Sequence, residues 1–250
     1  MKDKVLKKQP QPEENKRRQF LKLSGMALVG TGLLYACSSD DDGSMPQPSP
    51  GVFDLGAGNV GILNYAYALE QLEAAFYTQV LAGSYWMNAP ANEKQILEDL
   101  YNHEVIHREF FKTALNSVVS EDMVLPTVEF DFSSINFSDR AAVLGTARLL
   151  EDTGVSAYNG AGKLINVSDA SGVTYLTLAG KIVSVEARHA AAIRDLLNPG
   201  SADFAGDDIL IGLGTEPAFD MATPPADVLA AVAETGFVVT PFTANNLPTS

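Results

Sequence analysis

Glu104-Val105-Ile106-His107 and Glu186-Ala187-Arg188-His189 are the two stretches on which the reading of this chain turns. In each, a glutamate and a histidine stand three positions apart, which on an α-helix puts both side chains on one face, a turn apart. A single pair of this kind is common on solvated helices. Here there are two, and each has a glutamate at a matching distance upstream. Glu70 precedes Glu104 by 34 positions, and Glu151 precedes Glu186 by 35. Tyr77 follows Glu70 by seven and Tyr158 follows Glu151 by seven, nearly two helical turns in both cases. The two halves therefore read as copies of one helix hairpin, related by an approximate twofold axis.

The flanking residues predict burial of these acids. Glu104 precedes Val105-Ile106, Glu151 follows Leu149-Leu150, and Glu186 lies within Ile182-Val183-Ser184-Val185-Glu186-Ala187. Four carboxylates converging in an apolar interior are prohibitive by themselves. Two divalent cations bring +4 against −4, with two neutral imidazoles as nitrogen donors. Oxygen and imidazole ligands suit iron or manganese, and zinc is a common occupant during purification. The chain's only cysteine, Cys37, cannot by itself build a thiolate site or an internal disulfide, so any metal site must use oxygen and nitrogen.

Working outward, four segments show helical spacing and boundary residues. They are predicted over about 59–82, 92–116, 138–165 and 168–197, with a Ser138 or Asp139 cap on the third and Asn198-Pro199-Gly200 ending the fourth. The inward stripe is expected at Ile62, Ala66, Leu69, Phe76 and Val80 on the first helix. On the second it is expected at Ile96, Leu100, Ile106, Phe110 and Leu115. Each helix would be roughly 40 Å long at 1.5 Å per residue. Short joints make helices one and two, and helices three and four, antiparallel hairpins. Between the pairs, about twenty residues from Val119 to Phe137, with a Val-Glu-Phe-Asp-Phe alternation, are enough to run the length of a bundle. After Gly200 the composition turns to Gly, Pro, Asp and Thr, and a mostly irregular tail is expected. It holds one short helix over 226–234, and Phe237-Val238-Val239 and Phe242 pack on the bundle exterior.

At this point the chain resembles the bacterial ferritin-like domain proteins, related in fold to bacterioferritin, rubrerythrin and manganese catalase. The segment Leu69-Glu70-Gln71-Leu72-Glu73-Ala74-Ala75-Phe76-Tyr77 is similar to that group's first-helix motif, and the likeness spans about 59–197. The resemblance implies an all-α fold: a ferritin-like four-helix bundle with one long crossover between helices two and three. It implies a metal site in which Glu70 and Glu151 are single carboxylates, Glu104 and Glu186 bridge, and His107 and His189 each cap one ion. The ions expected are iron first, manganese next. The cysteine-rich module through which rubrerythrins pass electrons is absent from this sequence. Glu73, one turn beyond Glu70, fits the inward stripe as well and stands as an alternative ligand or a group behind the ligands; the Tyr77 spacing favours Glu70. Tyr77 and Tyr158 either hydrogen-bond the ligand carboxylates or pack in the core. His103 reads as a surface residue or a group behind the ligands, and Trp86 as a packing anchor.

The first fifty residues read as an address and a tether. Lys16-Arg17-Arg18-Gln19-Phe20-Leu21-Lys22 before the 14-residue apolar run Leu23–Ala36 resembles a twin-arginine export signal, and that run is too short to span a bilayer. Leu34-Tyr35-Ala36-Cys37 resembles a lipobox, which implies acylation of Cys37 and a membrane-anchored lipoprotein, periplasmic or on the cell surface. Ser38-Ser39-Asp40-Asp41-Asp42-Gly43 and the Pro/Ser/Gln run after it read as a flexible spacer. The expected divisions are thus a signal over 1–36, a linker over 37–55, a bundle over 56–198 and an extension over 199–250.

Residues 1–36 carry eight Lys/Arg against three acids; the remainder has nine basic against 28 acidic residues, a balance of −19. A surface that acidic repels phosphate backbones, so nucleic acid is not an expected partner. The leading functional expectation is dimetal oxidative chemistry outside the cytoplasm, either Fe(II) oxidation or consumption of peroxide, with dioxygen or peroxide as the small-molecule partner. The alternative is a non-catalytic metal-binding or structural, stress-protective envelope lipoprotein. The tether and the tail argue against a closed storage cage, while a smaller homo-oligomer stays open.

Overall fold

Four long helices carry the chain, and their polar ends and buried faces explain where each begins and packs. The computed structural model describes residues 51–206, 210–213 and 216–249; the expected export signal, Cys37 and the expected spacer to residue 50 lie outside the described residues. In chain order the elements are β1 (Phe53–Asp54), α1 (Gly58–Ala82), α2 (Ser84–Asn88), α3 (Ala91–Val118), α4 (Arg140–Gly162), α5 (Ala170–Leu197), β2 (Leu210–Leu213), β3 (Glu216–Asp220), α6 (Pro225–Thr235) and β4 (Phe242–Thr243). Helix α1 packs along α3, and α4 along α5, as two hairpins. The segment from Val119 to Asp139 joins them, so the expected all-α bundle with a long crossover is the architecture found. Among the described residues no helix is long and apolar enough to cross a membrane.

The helix starts follow from local chemistry. Asp139 accepts hydrogen bonds from the Ala141 and Ala142 amides, satisfying donors that the first turn of α4 leaves open. Asp169 does the same for Gly172 at the start of α5. Both caps are side-chain oxygens standing where the peptide N–H groups have no partner within the helix.

Helix α1 is buried on every side from Gly61 to Ala74. That is why its polar residues need partners, and the crossover supplies them. Asn64 donates to the carbonyls of Leu55 and Met123 and accepts from the Leu125 amide. Gln71, two turns on, donates to the Pro126 carbonyl and accepts from the Val128 amide. These amides hold the crossover against α1 along its length. The Val128–Phe132 alternation then puts Val128 and Phe132 inward, and its backbone pairs with the tail through Phe130 and Val238.

One end of the bundle is tied by charge. Arg140, at the start of α4, forms a 2.6 Å ion pair with Glu93 on α3 and donates to the Leu196 carbonyl near the end of α5. Glu93 also accepts from the Tyr85 hydroxyl of α2. Trp86 serves as the expected packing anchor: its indole donates to the Lys94 carbonyl, and the Lys94 ammonium lies over its ring.

Four details differ from the sequence expectations. Ile106 is 61% exposed, because inward-facing Glu104 and His107 turn the intervening residue away from the core; Leu97 and Phe111 fill the stripe instead. Val239 is likewise exposed, while Phe237 and Phe242 pack as expected. The tail is less irregular than its composition implies, since β2 and β3 pair antiparallel. Finally, the folded body takes in Phe53–Leu55, read from sequence as linker: β1 pairs in parallel with β4, and Leu55 is fully buried.

Candidate metal centre

Each hairpin delivers one glutamate from its first helix and a glutamate–histidine pair from its second. Glu70 comes from α1, Glu104 and His107 from α3, Glu151 from α4, Glu186 and His189 from α5. All six are buried, and all four glutamates are completely so. The six sequence-predicted ligands thus meet at mid-bundle. They form two overlapping sets, Glu70, Glu104, His107 and Glu186, and Glu104, Glu151, Glu186 and His189, in each of which the donor atoms lie within 4.8 Å of one another.

The atoms divide with near-twofold regularity. Around His107 Nδ1 stand Glu186 Oε1 at 2.9 Å, Glu70 Oε2 at 3.4 Å and Glu104 Oε2 at 3.6 Å. Around His189 Nδ1 stand Glu104 Oε1 at 2.7 Å, Glu151 Oε2 at 3.4 Å and Glu186 Oε2 at 3.6 Å. Glu104 and Glu186 therefore give one oxygen to each set, which is the geometry of a bridging carboxylate.

The tyrosines fix the outer carboxylates crosswise. Tyr77, from α1, donates to Glu151 Oε1 at 2.5 Å, and Tyr158, from α4, donates to Glu70 Oε1. Each hydroxyl serves the glutamate of the opposite hairpin, and this leaves Oε2 of both glutamates to the interior. Seven-residue spacing placed tyrosine and glutamate on a common face; only packing could show that the bond crosses the axis.

The metal fit rests on what is left over. Among the described residues, the buried side-chain oxygens and nitrogens without a hydrogen-bond partner are Tyr65 Oη, Glu73 Oε2 and eight more. Those eight are Glu70 Oε2, Glu151 Oε2, both oxygens of Glu104 and Glu186, and Nδ1 of His107 and His189, four for each set. Buried polar atoms ordinarily find partners. Short separations without hydrogen-bond alignment are what lone pairs aimed at a common cation produce.

Protonation shows the same demand for positive charge. Burial works against a charged His107, yet contact with Glu104, Glu186 and Glu70 raises its pKa to about 12. His189 moves up likewise, against burial, through Glu151 and Glu104. Burial would raise Glu104, but the two imidazoles bring it down to about 2. Burial dominates at Glu151 and lifts it to about 8 despite His189. Glu70 rises well above the ordinary range through burial and the nearby Glu186 charge. Protons on the two histidines thus stand where cations would, and the two compete.

Two residues that the sequence left open find definite places. His103 Nδ1 lies 2.8 Å from His189 Nε2 and its ring stacks on that of His189. Burial and the neighbouring imidazoles lower the pKa of His103, so a neutral ring is available to accept the Nε2 proton of His189. With that proton on Nε2, Nδ1 keeps its lone pair for a cation. Glu73 is 3% exposed but lies outside both donor sets, which makes Glu70 the α1 member of the cluster.

A bundle of two helix hairpins around paired carboxylate–histidine sets defines the class of carboxylate-rich four-helix proteins. A comparison with protein-family profiles matches residues 58–199 to the ferritin-like domain, and the chain belongs to that family. No curated protein matches the chain closely enough to count as a relative. The buried clusters could hold metal ions, as expected of a ferritin-like dimetal site.

Proposed function

We propose that this chain is an exported, lipid-anchored dimetal protein whose centre binds two iron ions, or two manganese ions, and oxidises Fe(II) or consumes peroxide outside the cytoplasm. The observation that carries the reading is the set of eight unpartnered buried donor atoms, four for each position. Two redox-active ions bound there would supply the electron pair that dioxygen or peroxide takes up.

The chain's own residues do the rest. Glu104 and Glu186 hold the two positions side by side, since each offers one oxygen to each histidine's set. Tyr77 and Tyr158 restrain the outer carboxylates through Oε1, so Oε2 keeps its direction as charge at the centre changes. Complete burial of the four glutamates excludes bulk water and strengthens every charge interaction among them. Twin arginines Arg17-Arg18 and Cys37 at the end of the apolar run support export and anchoring.

The test uses chain purified without oxygen and treated with chelator, then given Fe(II) and afterwards dioxygen or peroxide. About two ions per chain and a transient diferric absorption band are expected. A stable bundle that takes up no ions overturns the proposal, and two bound ions without oxidation or peroxide turnover leave a metal-binding protein only.

A further inference from the structure

The approximate twofold axis lets every residue of one hairpin be checked against its counterpart in the other. The six donors and the two tyrosines match. Two polar residues, buried Glu73 and solvent-exposed His103, do not. Glu73 follows Glu70 by three, and the residue three after Glu151 is Gly154. His103 precedes Glu104, and the residue before Glu186 is Val185.

The first mismatch is a physical fit. A β-carbon on Gly154 would lie 2.9 Å from Glu73 Oε1, closer than such atoms come, so the glycine makes room for that carboxylate. Glu73 thus leans from α1 across to α4, as Tyr77 one turn further along α1 reaches Glu151. The same missing β-carbon would lie 3.8 Å from Glu186 Oε2, the oxygen in the set of His189. Glu73 Oε2 is buried without a partner, a costly state for a carboxylate unless a cation lies near. The second mismatch falls on the same side: His103 contacts His189 Nε2 at 2.8 Å.

Resting on the dimetal reading above, we infer that the two positions are unequal. The position of Glu151 and His189, backed by Glu73 and His103, binds its ion more tightly and fills first. Glu73 sets a carboxyl oxygen beside it in a low-dielectric interior, where a bound cation favours the ionised form over the proton that burial and the neighbouring acids otherwise hold there. His103, by accepting the Nε2 proton, makes His189 Nδ1 a stronger donor. The position of Glu70 and His107 lacks both counterparts and is the weaker, exchangeable one. The arrangement allows one ion to stay resident while the other turns over.

Calorimetric titration of the chelator-treated chain with Mn(II) tests this. Wild type is expected to bind in two steps at least tenfold apart. Glu70→Ala keeps the tight step and loses the weak one, while Glu151→Ala does the reverse. Glu73→Gln and His103→Gln each weaken the tight step by about 10-fold, the usual scale for groups behind a ligand, and leave the weak step in place. Circular dichroism checks that each variant is folded, and His103, at the solvent edge, provides the readout should Glu73→Gln fail to fold. Two equal steps in wild type, loss of the tight step in Glu70→Ala, or unchanged titrations in folded Glu73→Gln or His103→Gln overturn the inequality alone. Absence of Mn(II) binding in wild type overturns the dimetal reading and this inference with it.

Discussion

At the residue scale, the site depends on atoms that have nowhere else to turn. Glu104 and Glu186 each send two oxygens into the interior without a hydrogen-bond donor. Glu70 and Glu151 each use one oxygen on a tyrosine and keep the other free. This division yields a prediction for each hydroxyl. Tyr77→Phe frees Glu151 and should weaken the ion beside His189 by about tenfold; Tyr158→Phe should do the same beside His107. Metal titration of the two variants decides it. Unchanged affinities would reduce both tyrosines to packing. The six candidate ligands were legible because a metal site needs fixed residue types at helical spacing. His103 and Glu73 were only half legible, since what sets their role is a contact across helices.

At the element scale, the crossover is held by α1 and not by its own composition. Asn64 alone satisfies two carbonyls and one amide of the segments that cover it. Asn64→Leu keeps the volume close but strands those groups in the interior. A loss of about 1–3 kcal/mol is expected, the usual cost of leaving a buried polar group unsatisfied, read as a lower denaturant midpoint. The donor atoms lie further along the helix, so two-ion stoichiometry should survive in the folded variant. Sequence periodicity found the four helices because their apolar spacing is a local property. It misplaced Ile106, which it put inward with the apolar set. Glu104 and His107 claim the inner face of α3 at that level, and an apolar residue between them must point out.

At the scale of the whole molecule, protons and metal ions oppose each other. In the metal-free chain the folded state holds protons that the unfolded state releases. Glu151 binds one up to about pH 8 against an ordinary value of 4.5, and His107 up to about pH 12 against 6.5. Stability from these groups is complete below their ordinary values and falls as pH rises through the raised ones. Glu104, at about 2, contributes the other way: its stabilisation is present above 4.5 and is lost as pH falls toward 2. Thermal melts of chelator-treated protein should therefore be highest near pH 5 and decline toward pH 9. Metal-loaded protein should gain relative to it over the same range, because the competing protons leave. A stabilisation by metal that does not grow with pH would contradict this linkage. Anchoring is tested separately: Cys37→Ala should move the chain from the membrane fraction to the soluble envelope fraction, and its retention in the membrane would discount the lipid.

The sequence by itself determined the helices, their pairing into hairpins and the six residues that meet at mid-bundle. All of these depend on periodicity, spacing and residue type along one chain. Only the tertiary structure decided that Glu104 and Glu186 each face both histidines, and that each tyrosine serves the opposite hairpin. It also showed that Glu73 rests in the space left by Gly154. Those facts are distances between helices far apart in the chain, and no local pattern encodes them, because the register of one helix against another is set by packing.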